Sequence, residues 1–134
     1  MARPASEHPT DLELRILKFL WEHSPLTARE IREKLASTGR KLAHTSVITT
    51  LQKMVEKRQL SQLDPVEGKA YRFSPKLQSG DVSQGMLQDI VNRVFDGSTE
   101  AVMLSLFDAG DLDQDALKRL RCAFNKKLRE QKDD

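Results

Sequence analysis

Residues 44–58, HTSVITTLQKMVEKR, constrain the fold more than any other stretch of this chain. Wound at about 3.6 residues per turn, the segment gathers Val47, Leu51, Met54 and Val55 into one apolar arc. The opposite arc carries Thr45, Ser46, Thr49, Gln52 and Lys53, with no carboxylate before Glu56. Such a helix is gripped from behind by a core, while its front offers hydroxyls, an amide and an ammonium. Those are the groups that hydrogen-bond to base edges in a DNA major groove. An ordinary surface helix with a solvated outer face has the same pattern, so the neighbouring segments must decide.

Two helices are expected before it. Thr10-Asp11-Leu12-Glu13 has the spacing of a capping box, in which the threonine hydroxyl and the glutamate carboxylate each satisfy a free amide of the first turn. Leu14, Leu17 and Trp21, with Ile16 and Leu20, form the apolar side of that helix, which ends near Ser24-Pro25. Thr27-Ala28-Arg29-Glu30 repeats the box and opens a shorter helix that buries Ile31 and Leu35 before Ser37-Thr38-Gly39 breaks it. After Leu60 the period changes. Residues 60–64 and 69–75, separated by Pro65-Val66-Glu67-Gly68, read as a two-stranded hairpin with Tyr71 and Phe73 on one face and Arg72 on the other. Three helices and a hairpin make a winged helix-turn-helix: the third helix enters the major groove and the hairpin lies along the backbone.

Charge follows this division. Residues 1–78 hold 14 Lys or Arg against 9 Asp or Glu, and residues 79–134 hold 8 against 11. Within residues 40–58 there are five basic residues and one acidic. A basic N-terminal part suits phosphate neutralisation with counterion release, whereas the acidic C-terminal part is a poor ligand for DNA. Arg40, Lys41, Lys57, Arg58, Lys69 and Arg72 are the expected phosphate contacts. No apolar run reaches the length of a membrane span, the N-terminal MARPASEHP lacks the apolar stretch of a signal peptide, and the single Cys122 excludes an internal disulfide. A cytoplasmic protein with no membrane partner is expected.

Beyond Pro75, residues 76–81 read as a linker, followed by three amphipathic helices. The first carries Met86, Leu87, Ile90, Val91, Val94 and Phe95 and is stopped by Gly97. The second offers Val102, Met103, Leu106 and Phe107; the third shows Leu117, Leu120, Phe124 and Leu128 as a stripe. These faces exceed what a short three-helix tail hides within itself, and a second copy of the chain is the simplest partner, because a two-fold interface needs only one patch. Leu87, Val91, Val94, Leu106, Leu117, Leu120 and Phe124 are the expected interface. The alternative is a compact subdomain folded back on the wing. Cys122 is expected at or near the core.

The order of motifs resembles the penicillinase-repressor family of bacterial transcriptional regulators, which includes methicillin-resistance and copper-responsive repressors. The resemblance runs through LRILKFLW (14–21), LTAREI (26–31), HTSVITTLQKM (44–54), similar to the recognition-helix signature TVxTxLxRL, GKAYRFSP (68–75) and NRVFDGS (92–98). It implies a mainly α fold with a small two-stranded β wing. The expected layout is a flexible tail over 1–9, a winged helix-turn-helix over 10–75, the linker over 76–81 and a helical dimerisation domain over 82–130. It also implies a homodimer that occupies a dyad-symmetric operator and blocks transcription until an upstream signal relieves it, a signalling protease being one such partner.

Four departures from the family pattern matter. Lys57-Arg58-Gln59 replaces the usual Lys-Gly, so a slightly different helix exit is expected, with Arg58 adding a charge near the phosphates. Ile48 stands where relatives carry a polar or basic residue; it either touches a thymine methyl or is partly buried. Ser105-Leu106 aligns with the Asn-Phe bond cut in β-lactam-responsive members, so that cut is not expected. The cysteine pair of copper-responsive members is represented only by Cys122, too few soft ligands for a metal. Neither metal nor cofactor is expected.

Three rival readings make sharply different demands. An enzyme needs a cluster of catalytic groups, but His8, His23 and His44 fall in unrelated segments and no glycine-rich phosphate loop occurs. A winged helix that binds protein instead of DNA would carry a neutral or apolar third-helix face. A direct small-molecule sensor needs a cavity of about 300–1,000 Å³, large for the C-terminal helices.

Overall fold

The computed structural model describes residues 8–132, so most of the tail expected over residues 1–9 lies outside it. The elements, in chain order, are α1 (Asp11–Glu22), β1 (Leu26–Thr27), α2 (Ala28–Ser37), α3 (His44–Glu56), β2 (Leu60–Leu63), β3 (Arg72–Pro75), α4 (Ser79–Arg93), α5 (Thr99–Ala109) and α6 (Gln114–Lys132). The chain divides into two compact units between Gln88 and Asp89, within α4.

Both capping boxes form. In α1 the Thr10 hydroxyl accepts from the Glu13 amide at 3.2 Å, and Glu13 Oε1 accepts from the Thr10 amide at 3.0 Å. Thr27 and Glu30 repeat the pattern at the start of α2. Each box satisfies amides that no helical carbonyl can reach, which is why these helices begin where they do.

The core of the first unit joins Ile16, Leu17 and Leu20 of α1, Ile31 and Leu35 of α2, Val47, Leu51 and Met54 of α3, and Leu26, Leu60 and Phe73 of the sheet. Each fully buried aliphatic side chain contributes roughly 1.5–3 kcal/mol. That cluster determines which face of α3 turns inward, because three of its apolar residues are inaccessible to solvent.

The sheet has three antiparallel strands in the order β1-β3-β2, one more than the expected hairpin. Leu26 pairs with Phe73 and Thr27 with Arg72. A two-residue strand is too short for an alternating pattern, and Thr27 serves at once as strand end and helix cap. The hairpin strands are shorter than expected: Leu60 opposes Pro75 and Leu63 opposes Arg72, leaving 69–71 outside the ladder.

The segment expected as a linker is tied down. Lys76 donates its amide to the Gln59 carbonyl, Trp21 Nε1 donates to the Leu77 carbonyl at 2.8 Å, Leu77 packs on the core, and α4 has begun by Ser79.

In the second unit, Val91 and Val102 are buried. Helix α4 ends at Arg93, and the chain turns through Asp96 and Gly97, both at positive φ, with the Gly97 amide returning to the Val91 carbonyl. Ser98 caps α5 by accepting from the Ala101 amide. Phe95 is half-buried, and the other large apolar side chains stay open to solvent: Leu106 is 62%, Leu128 64% and Val94 67% exposed. Of the expected interface residues, Val91 is therefore already covered by its own chain, whereas Val94, Leu106, Leu117, Leu120 and Phe124, together with Leu87 at the end of the first unit, are exposed. Cys122 is exposed as well, contrary to expectation. No residue of α6 is buried, the apolar stripe included, so Cys122 shares the exposure of its whole helix.

Candidate nucleic-acid interface

Helix α3 is presented by a turn whose backbone is pinned. At the end of α2, Gly39 takes φ 93 and the Arg40 amide donates to the Leu35 carbonyl at 2.9 Å. This is a Schellman closure, in which a left-handed residue lets the chain satisfy the last carbonyls and leave the helix. Arg32 Nε then donates to the Leu42 carbonyl at 3.1 Å, holding the turn against α2. Arg40 and Lys41 emerge from it exposed.

No side chain caps α3, since its N-cap is Ala43. The positive end of the helix dipole and its first amides therefore face outward beside His44. Along the helix, Thr45, Ser46, Thr49, Gln52 and Lys53 are all exposed, on the side opposite buried Val47, Leu51 and Met54. The Thr49 hydroxyl donates to the Thr45 carbonyl at 2.9 Å, and Thr50 does the same to Ser46. With its proton so engaged, Thr49 offers outward-facing lone pairs, which suit an amino donor on cytosine or adenine. Ile48 is partly buried and packs against the core.

The far end of α3 closes as α2 does, but around an arginine. Arg58 has φ 65, its amide donates to Val55, and the Gln59 amide donates to Met54 at 2.9 Å. The exit geometry expected of a glycine is thus kept, and the Arg58 side chain projects exposed from it. Lys57, expected at the phosphates, pairs with Glu13: its Nζ lies 2.8 Å from Glu13 Oε2. Glu13 also accepts from Gln59 Nε2 at 3.3 Å. Burial raises the Glu13 pKa, but hydrogen bonds from Lys57, the Thr10 amide and Gln59 outweigh it and hold the carboxyl below its ordinary value.

On the wing, Lys69 is exposed and Arg72 half-buried, its Nε buried without a hydrogen-bond partner among the described residues. Thr27 of β1, Arg29 and Glu30 of α2, and Val66, Lys69 and Arg72 of the wing line an open cleft of about 700 Å³. Sequence reasoning did not single out Arg29, which pairs with Glu33 at 3.2 Å, or Arg32, both of which lie beside His44, and it missed the Glu13–Gln59 contact. No local signal announces that contact. Among the described residues, no group of three or more His, Cys, Asp or Glu could hold a metal, and no helix is long and apolar enough to cross a membrane.

Comparison with known proteins decides the lineage. The family model described as penicillinase repressor matches residues 9–126. The chain belongs to the penicillinase repressor family. It is 31% identical over 112 residues to the transcriptional regulator BlaI of Mycobacterium tuberculosis, covering 81% of this chain and 79% of that one. It is 22% identical over 111 residues to the penicillinase repressor of Bacillus licheniformis, covering 83% and 84%. Among solved structures, the DNA binding domain of the repressor BlaI aligns with 60% of this chain and 93% of its own, at 23% identity and a TM-score of 0.47. A point mutant of Lactococcus lactis ZitR aligns with 98% and 80%, at 18% identity and a TM-score of 0.44.

Proposed function

We propose that this member of the penicillinase repressor family is a homodimeric repressor that occupies a dyad-symmetric DNA operator and is released by an upstream signal. One observation carries the reading. Thr45, Ser46, Thr49, Gln52 and Lys53 form a continuous exposed face on a helix whose other face is locked into the core. Such a face reads base edges, while phosphate contacts from Arg40, Lys41, Arg58, Lys69 and Arg72 set its register on the duplex. Lys57 is withdrawn from that set, because its charge is compensated by Glu13.

The names of the relatives support repression, and the exposed apolar side chains of α5 and α6 support pairing of two copies. Two identical reading helices related by a two-fold axis call for a target with the same symmetry. A protein-binding winged helix is disfavoured, since the outer face of α3 is hydroxyl-rich and cationic instead of apolar.

The decisive experiment is recovery of the chromosomal fragments bound by the purified protein, followed by footprinting. A shared sequence with dyad symmetry, protected by a species sedimenting as two copies, is expected. Fragments with no common sequence would refute the proposal.

A further inference from the structure

The two capping boxes make an internal comparison. Glu30 of α2 is exposed, and its carboxylate accepts from the Thr27 amide. Glu13 of α1 occupies the same box position, yet it is only 4% exposed and accepts from three groups, the Thr10 amide, Lys57 Nζ and Gln59 Nε2. A capping box needs neither the burial nor the two additional donors. Both of those donors come from the two residues that flank left-handed Arg58 at the exit of α3. Gln59 extends the connection, since its amide closes α3 onto Met54 and its carbonyl accepts from the Lys76 amide beyond β3.

We infer that Glu13 is a positioning residue for the reading helix, acting through Lys57 and Gln59 to fix the angle at which α3 is offered to DNA. The inference rests on the proposed function. Helix α3 is fixed along its length by Val47, Leu51 and Met54, but apolar contacts are non-directional and permit small rotations. A charge-assisted bond at the far end is directional. Over a helix of about 20 Å, a tilt of about 5° displaces one end by about 2 Å. Hydrogen bonds to bases require donor–acceptor distances of about 2.7–3.2 Å, so that displacement breaks them. Phosphate contacts by long, exposed arginine and lysine side chains absorb it. Glu13 thus supports discrimination between sequences more than attraction to DNA as such.

The test uses the full chain, a duplex recovered by selection from the chromosome, and a scrambled duplex of equal length and composition. Parent, Glu13→Gln, Lys57→Met and the double variant are titrated at several salt concentrations. Each single variant should lose about tenfold on the selected duplex, in line with couplings of about 0.5–3 kcal/mol within one network. Neither should change affinity for the scrambled duplex or the salt slope. The double variant should bind no worse than the weaker single. Thermal melts and Trp21 emission establish that the variants are folded; Lys57, at 38% side-chain exposure, tolerates replacement if Glu13 does not.

If Lys57→Met weakens both duplexes equally and lowers the salt slope by about 0.9, Lys57 is a phosphate ligand and the inference is overturned. Additive losses in the double variant, or single variants that bind as the parent does, also overturn it. Absence of any preference in the parent itself would instead overturn the proposed function and the inference with it.

Discussion

The Gln59 amide donates to the Met54 carbonyl at 2.9 Å, closing α3 around Arg58 at φ 65, whereas the corresponding closure of α2 uses Gly39. A left-handed conformation costs a residue with a β-carbon about 1–2 kcal/mol. Glycine avoids that cost but gives back part of it as greater freedom in the unfolded chain. Arg58→Gly should therefore stabilise the fold by about 0.5–1 kcal/mol in urea unfolding. The same change should weaken binding to any duplex and reduce the salt slope by about 0.9, because one phosphate contact is lost. Stability and affinity moving in the same direction would contradict this assignment.

The lowered pKa of Glu13 has a defined consequence in acid. A carboxyl whose folded pKa lies below its unfolded value stabilises the fold fully above the unfolded value, here near 4.5. That contribution disappears as pH falls through the folded pKa. Glu13→Gln should cost about 1–3 kcal/mol at neutral pH, the expected loss for a buried charged hydrogen bond. The gap from the parent should close as the pH is taken below 4.5. Trp21, the single tryptophan, donates to Leu77 and reports unfolding by its emission. A gap independent of pH would show that the carboxylate charge is irrelevant to stability.

Pairing of two copies is tested on α6. Leu117→Asp or Leu120→Asp places a charge in the exposed stripe, where burying an ion without a partner is strongly unfavourable. Sedimentation at micromolar concentration should show the parent as two copies and the variants as one, with operator affinity reduced. A parent protein that sediments as a folded single chain would contradict the dimer.

Wing and helix separate by their salt dependence. Arg72→Ala should lower affinity for operator and scrambled duplex alike and reduce the salt slope by about 0.9. Lys53→Ala should fall most heavily on the operator. Reversal of those two patterns would exchange the roles of β3 and α3.

What was legible in the chain was whatever is local or periodic. The capping boxes at Thr10 and Thr27 are set by residues three apart, and both form. The apolar arc of α3 follows from helical spacing, so Val47, Leu51 and Met54 are buried as expected. The missing pieces depend on distant partners. Strand β1 exists because Leu26 and Thr27 lie beside Phe73 and Arg72, not because of any pattern in two residues. The carboxylate of Glu13 meets Lys57 across 44 positions, and within its own segment it looks like a cap and nothing more. Arg58 shows how tertiary context prevails over local preference: the fold needs a left-handed residue there, and arginine adopts it. Cys122 departs from expectation for a simpler reason: no residue of α6 is buried within its own chain, on the stripe or off it.

If the proposed function holds, the outer face of α3 discriminates between base sequences, and the ratio of affinities for the selected and scrambled duplexes in Thr49→Ala and Gln52→Ala measures that discrimination. Each substitution should lower operator affinity by about 1–3 kcal/mol and leave the scrambled duplex unaffected, so the ratio collapses. Equal losses on both duplexes would contradict the claim, because α3 would then be attracting DNA without reading it.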